Sequence, residues 1–142
     1  MAAVTITDVG VTVNTETILV VVDEAASVGN VLYKETDGKW KKGIASTSEL
    51  TAGRDGLGIL LTKVDAAGQY GLLAVGGTIL IDTGLTKSDV YILGATAGSI
   101  HPDVDSLATW YKTVIGVAGD ESVSTNYDEL DLILEASGHV QA

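Results

Sequence analysis

The chain has 142 residues and a net charge of −11, with no Cys, no Phe, one Pro, two His and 17 Gly. The acidity disfavours nucleic acids and anionic membrane surfaces as partners, because like charges repel. The missing Cys excludes disulfide and thiol chemistry, and the scarcity of His leaves few of the side chains that catalysis and transition-metal binding use.

The first sixteen residues are polar and β-prone, and they include Val4, Ile6, Val9 and Val11. Two interpretations stay open for residues 1–16: an extended arm that adds a strand to a neighbouring molecule, or an edge hairpin of the same domain. No basic segment followed by an apolar one is present, so a signal peptide is not indicated. Residues 17–142 are predicted to form one β-barrel or β-sandwich domain.

Three β-type runs follow in residues 17–42. The first, residues 17–22, is apolar at almost every position, which predicts a strand covered on both faces. Residues 31–35 and 39–42 flank a Thr-Asp-Gly sequence, and Asp-Gly favours a tight hairpin because Gly tolerates positive φ. Trp40 is predicted to point to one face of that hairpin, with its lysines largely in solvent.

The best helical signal of the chain lies at residues 46–52. Ser46 can cap a helix, and Glu49 follows at the spacing of a capping box. Gly53 and Gly56 come directly afterwards, so the helix is limited to one or two turns.

The rest of the chain alternates short apolar runs with turn residues, and residues 103–111 are predicted as a loop or a single helical turn. About ten short strands at this spacing predict an all-β barrel or sandwich with at most one or two short helical turns. The further predicted strands are residues 58–64, 70–75, 78–81, 90–93, 99–100, 113–118 and 130–135.

Every aromatic side chain is Tyr or Trp, and such amphipathic rings favour half-buried positions and interfaces. The lysine-bearing hairpin and the aromatic pair beside an acidic segment are therefore candidate partner contacts. The alternative is that these rings close the ends of the barrel. The candidates are Tyr33, Lys39, Trp40, Trp110 and Tyr111.

Residues of types that occur in catalytic or metal sites are present, but the other residues that such sites need are missing. His101 is close to Asp103 and Asp105, but no Gly-x-Ser-x-Gly elbow presents a nucleophile. The two aspartates have a spacing found in calcium loops, but the other ligands of an EF-hand are missing. His139 lies near the C-terminus, where rigid sites are rare. We therefore predict no catalytic residue, no metal and no cofactor.

Several short sequence blocks are shared with a known type of protein. These blocks are Gly29-Asn-Val-Leu-Tyr33, Asp37-Gly-Lys-Trp40, Gly56-Leu-Gly-Ile-Leu60, Gly76-Gly-Thr-Ile-Leu80, Thr83-Gly-Leu-Thr-Lys-Ser-Asp-Val-Tyr91, Ala95-Thr-Ala-Gly-Ser-Ile100 and Val114-Ile-Gly-Val-Ala118. Through them the chain from Val28 to about Leu134 resembles the head decoration, or cement, proteins of tailed bacteriophages and related β-rich modules of phage fibres.

The resemblance implies a non-enzymatic virion protein, made in the host cytoplasm, that sits on the outer surface of the capsid. It implies a β-barrel or sandwich that forms homotrimers and clamps adjacent subunits of the major capsid protein, with an N-terminal arm reaching a neighbour. The alternative is a receptor- or carbohydrate-binding module of a phage fibre, with Trp110 and Tyr111 as a stacking surface.

Overall fold

The structure is a computed structural model that describes residues 3–48, 50–82, 84–103, 109–119 and 127–140, with the side chains of 137–140 left out. Within these ranges the chain forms eleven strands and no helix. The predicted all-β fold is confirmed. The strands are β1 (Val9–Val11), β2 (Glu16–Val22), β3 (Val31–Lys34), β4 (Trp40–Lys42), β5 (Leu57–Leu60), β6 (Gln69–Gly76), β7 (Thr78–Ile81), β8 (Val90–Leu93), β9 (Ile100–Pro102), β10 (Tyr111–Ala118) and β11 (Asp128–Val140).

The strands form two sheets: β2 to β6 form one, and the strands after Gly76 form the other together with β1. A closed barrel has the order β2-β4-β3-β5-β6, and a six-stranded sheet has the order β1-β7-β11-β10-β8-β9. All pairings are antiparallel except that of β2 with β4, which is parallel and consists of one residue pair, Val22 with Trp40. The barrel is therefore closed between β2 and β4 only at Val22. Before Val22, β2 does not pair with β4.

Strands β3, β5 and β6 supply side chains to two different cores, because successive residues of a strand point to opposite faces. Leu32 points into the barrel, while Val31 and Tyr33 point outward towards the six-stranded sheet. The barrel core consists of Val22, Ala26, Leu32, Trp40, Leu60, Val64 and Leu73. The shared core, between barrel and sheet, consists of Val31, Tyr33, Ala45, Leu57, Ile59, Ala74, Ile79, Ile81, Leu85, Tyr91, Ile92, Leu93, Ile100, Trp110, Ile115, Ala118 and Leu130.

The predicted hairpin between β3 and β4 is present. Lys34 pairs with Trp40, and the backbone N–H of Glu35 donates to the carbonyl of Lys39 at 2.8 Å. Within the loop only Gly38 has positive φ, at 86°. This is the geometry of a turn that ends in a left-handed glycine, rather than a two-residue turn with both residues left-handed.

The segment predicted to be helical contains hydrogen-bonded turns and no helix. Ser48, not Ser46, closes the turn: its backbone N–H donates to the Thr51 hydroxyl at 3.1 Å, and the Thr51 N–H donates back to its hydroxyl at 3.2 Å. Gly53 then adopts φ 103°, which ends any helical progression. Glu49, the other half of the predicted capping box, lies outside the described residues.

The strand predicted at residues 130–135 is longer than expected. It is β11, of 13 residues, and its register with β10 shifts between the pairs Val114–Glu135 and Gly116–Leu132. Leu134 lies in this irregularity with φ 52° and packs against the shared core. A β-bulge at this point lets the strand bend and continue instead of ending.

Candidate interaction surface

Three of the aromatic rings predicted to meet a partner are core side chains. Tyr33, Trp40 and Trp110 are 7%, 6% and 7% exposed. Trp110 packs edge-on against His101, with ring centroids 5.5 Å apart. Because the chain has no Phe, its Tyr and Trp rings supply the large apolar volumes that a core needs. Burial also raises the pKa of Tyr33, and the neighbouring Glu35 charge adds to this effect.

The other two residues of that predicted set are more accessible. Lys39 is exposed beside the loop of the β3–β4 hairpin, and Tyr111 is half-buried at the start of β10. These two positions lie in different sheets. The structure therefore leaves no aromatic cluster open to solvent at either of the predicted contact regions, as far as the described residues show.

Residues 3–11 lie on the domain itself. Val4, Ile6 and Val9 are half-buried against the shared core, and the N–H of Val4 donates to the carbonyl of Ile100 at 2.8 Å. Residues 9–11 form β1, an edge strand paired with β7. Of the four N-terminal residues predicted to contact a partner, Val11 has the most accessible side chain, at 58%.

A carboxylate anchors this N-terminal segment. Asp82 accepts hydrogen bonds from the backbone N–H of Thr7, at 3.2 Å, and from the Thr7 hydroxyl. Burial opposes ionisation of Asp82, but these hydrogen bonds outweigh it, so the pKa lies below the ordinary value of 3.8. Nearby, the Tyr127 hydroxyl donates to Asp8, and that bond raises the pKa of Tyr127. The anchor at Thr7 therefore depends on the ionised Asp82 carboxylate.

Apart from Val11, the accessible apolar side chains lie elsewhere than predicted. The run at residues 17–22 was expected to be covered on both faces, and this is wrong for its first half: Ile18 is 40% exposed and Leu19 is 66% exposed. We define the apolar strip by the exposed apolar side chains on the outer face of the β2–β6 ladder, Leu19 (66%) and Tyr70 (67%). Three further apolar side chains are exposed away from this face: Ile18 (40%) points to the opposite face of β2, and Val11 (58%) and Val13 (101%) lie on β1 and in the turn after it.

The strip is built on a paired sheet and not on a loop alone. Leu19 pairs with Leu72 and Val21 pairs with Tyr70, so these side chains lie side by side on the outer face of the β2–β6 ladder. The sequence identified the apolar run correctly as a strand. It gave no signal for exposure, because local sequence does not encode whether another segment covers the outer face of the β2–β6 ladder.

A cluster of carboxylates also forms that sequence reasoning missed. Asp23, Glu35 and Asp37 each bring a carboxylate oxygen to within 4.8 Å of the others. They come from the end of β2 and from the β3–β4 hairpin, so only the fold brings them together. Oε1 of Glu35 is buried and has no hydrogen-bond partner in the described structure. Three like charges at this distance repel one another.

The acidic segment near His101 is only partly described. Asp103 forms an ion pair with Lys112, while Asp105 and Ser106 lie outside the described residues. The side chain of His139 lies outside them as well. The hydroxyl of Ser99 donates to the carbonyl of Thr96 at 2.7 Å, which fixes it within a turn.

Within the described ranges, no helix has the length and apolar character needed to cross a membrane. No protein-family model matches the chain. No curated protein matches it in sequence either.

Proposed function

We propose that this chain is a non-enzymatic structural protein of a phage virion that binds the outer surface of an assembled capsid. It would stabilise the capsid by clamping neighbouring subunits of the major capsid protein. The observation that carries the proposal is the apolar strip, where Leu19 and Tyr70 are each about two-thirds exposed on a rigid ladder. Exposed apolar groups of this kind mark protein-interaction sites.

The strip is suited to binding a preformed surface. Its β2 and β6 members are held by seven residue pairs, so little conformational freedom is lost when a partner covers them. A protein that binds the assembled shell but not free subunits stabilises the shell by mass action. The net charge of −11 agrees with an outer location, because it repels the packaged genome.

The resemblance to decoration proteins supplies the identity of the partner, the major capsid protein. It also implies that copies of the chain associate as a homotrimer. The fibre-module alternative assigned glycan stacking to Trp110 and Tyr111. Trp110 is buried against His101, so no observation favours that alternative.

The test is co-sedimentation of the purified chain with expanded, genome-free heads of the phage that encodes it. Tyr70→Glu places a charge on the strip and is expected to weaken binding about tenfold or more, as loss of an interface anchor does. Thr86→Glu adds the same charge at another exposed position and serves as the control. Wild-type chain that does not sediment with intact heads refutes the proposal. Equal binding by both variants removes the strip as the contact.

A further inference from the structure

We propose that the open edge of β2 pairs antiparallel with β2 of a second copy, so that two molecules form a twofold dimer through a continuous sheet. The inference concerns a backbone edge and a self-partner. It stands independently of the proposed capsid partner.

The edge is open because β2 is paired on one side only. Along its whole length β2 pairs with β6, whereas its contact with β4 is the single pair of Val22 with Trp40. Among the described residues, no other backbone group bonds to residues 16–21. Exposure decreases along the strand from Leu19, at 66%, to Val22, at 0%, as the β3–β4 hairpin covers its end.

The hydrogen-bonding pattern shows which groups face this edge. The N–H and carbonyl of Leu72 are used on the β5 side of β6, by the Thr62 hydroxyl and the Leu61 N–H. Bonding direction alternates along an antiparallel strand. The residue opposite Leu72 is Leu19, so the backbone groups of Leu19 and Thr17 point away from β6 and towards the open edge.

From Thr17 onward, β2 carries none of the features that usually protect an edge; its only charged residue, Glu16, and its register shift against β6 lie at its start. Proteins usually guard exposed edges with Lys, Pro, bulges or covering loops. Residues 17–22 contain no charge, no Pro and no Gly, and all but Thr17 are apolar. An uncovered, uncharged strand of this kind is a template for another uncharged strand.

The chain itself supplies a matching strand. With the twofold axis at Ile18, Thr17 lies opposite the partner's Leu19, and these residues exchange about four backbone hydrogen bonds. The two Ile18 side chains, each 40% exposed in the single chain, then meet at the axis. Glu16 lies opposite the partner's Val20, so no like charges face each other in the ladder. For a molecule with net charge −11, this uncharged stretch is a favourable place for two copies to meet.

Edge pairing leaves the outer face of the strip accessible, because side chains stand roughly perpendicular to a sheet. Leu19 and Tyr70 would be repeated across the axis, giving two copies of the proposed capsid-binding face. When two identical edges pair antiparallel, each edge is fully used and no third copy can join through it. This interface therefore predicts a dimer and not the trimer that the resemblance implies.

The decisive experiment uses the absence of native Cys. Ile18→Cys introduces the only thiol at the axis, where the two Cα atoms would lie within disulfide range. We expect this variant to form a covalent dimer under mild oxidation. Tyr70→Cys, 67% exposed on the next strand, is the matched control and should cross-link much less at equal concentration. Equal cross-linking of the two variants, or none at Ile18→Cys, overturns the proposal.

Solution mass by light scattering gives the second readout. The wild type is expected at twice the chain mass, and Leu19→Pro at the mass of one chain, because Pro removes an edge-facing N–H while sparing the ladder to β6. Far-UV circular dichroism checks that Leu19→Pro folds; if it does not, Ile18→Lys replaces it, since it sets like charges opposite each other. A wild-type monomer or trimer refutes the pairing. Binding to capsids is measured separately, so either proposal can fail without the other.

Discussion

Gly77 joins the barrel to the six-stranded sheet, and we expect Gly77→Ala to destabilise the fold strongly. Gly77 has φ 80°, and a Cβ there would lie 1.9 Å from the backbone carbonyl oxygen of Asn14. The left-handed conformation alone costs about 1–2 kcal/mol for Ala. To reach an ordinary contact the β1–β2 turn must also move by about 1.4 Å. That shift disturbs the two hydrogen bonds that the turn donates to the Thr78 carbonyl, from the Thr12 hydroxyl at 3.0 Å and the Thr15 hydroxyl at 2.6 Å, at about 1 kcal/mol each.

The sum is about 3–4 kcal/mol, and a matched control isolates the contact from the backbone strain. Gly38 has φ 86°, but a Cβ there would meet nothing within 4 Å. Gly38→Ala should therefore lower the free energy of unfolding only by the cost of a left-handed Ala, about 1–2 kcal/mol. The assay is equilibrium urea unfolding of both variants and the wild type. If Gly77→Ala unfolds at the same midpoint as Gly38→Ala, the close approach of the β1–β2 turn to Gly77 is refuted.

Two further predictions concern carboxylates. Asp82 has a lowered pKa in the folded state, so its stabilisation is complete above the unfolded-state pKa of about 3.9 and is lost as pH falls through the lower folded value. The amide hydrogen-exchange rate of residues 3–8, corrected for intrinsic rates, should therefore rise in acid. Asp82→Asn should reduce this dependence of the exchange rate on pH. A variant with the same pH dependence as the wild type would contradict the role of Asp82 as an anchor. Glu35→Gln removes one of three clustered charges and is expected to raise the free energy of unfolding by up to about 1 kcal/mol, with less gain in high salt. Asp89→Asn, at an exposed position, is the control in the same denaturation assay, and an equal gain there would show that only net charge matters.

The strands and main turns could be predicted from the sequence because their signals are local. The β3–β4 hairpin follows from Gly38 between two short β-type runs, and it forms as expected. The predicted helix does not form because Ser48 and Thr51 close a turn through their side chains, and Gly53 follows with a left-handed φ. The length of β11 was missed because its bulge at Leu134 uses a left-handed residue that no propensity favours.

Accessibility was harder to predict than secondary structure. From the sequence, Trp40 and Trp110 were predicted to be interface residues. Their burial, however, is determined by strands that are distant in sequence. The exposure of Leu19 depends on whether another segment covers the outer face of the β2–β6 ladder, which is again a long-range property. Composition indicated only that large rings are scarce. It could not say whether those rings would fill a core or face a partner.

The two-sided strands of the barrel make the chain indivisible. The barrel wall contributes Val31, Tyr33 and Ile59 to the shared core. Removing the residues after Gly76 would therefore expose these side chains to water. A truncated barrel would thereby gain an apolar wall prone to aggregation. If this chain is transferred into a larger protein by recombination, both sheets must therefore be transferred together. A breakpoint after Gly76 would leave the outer wall of the barrel without the sheet that covers it.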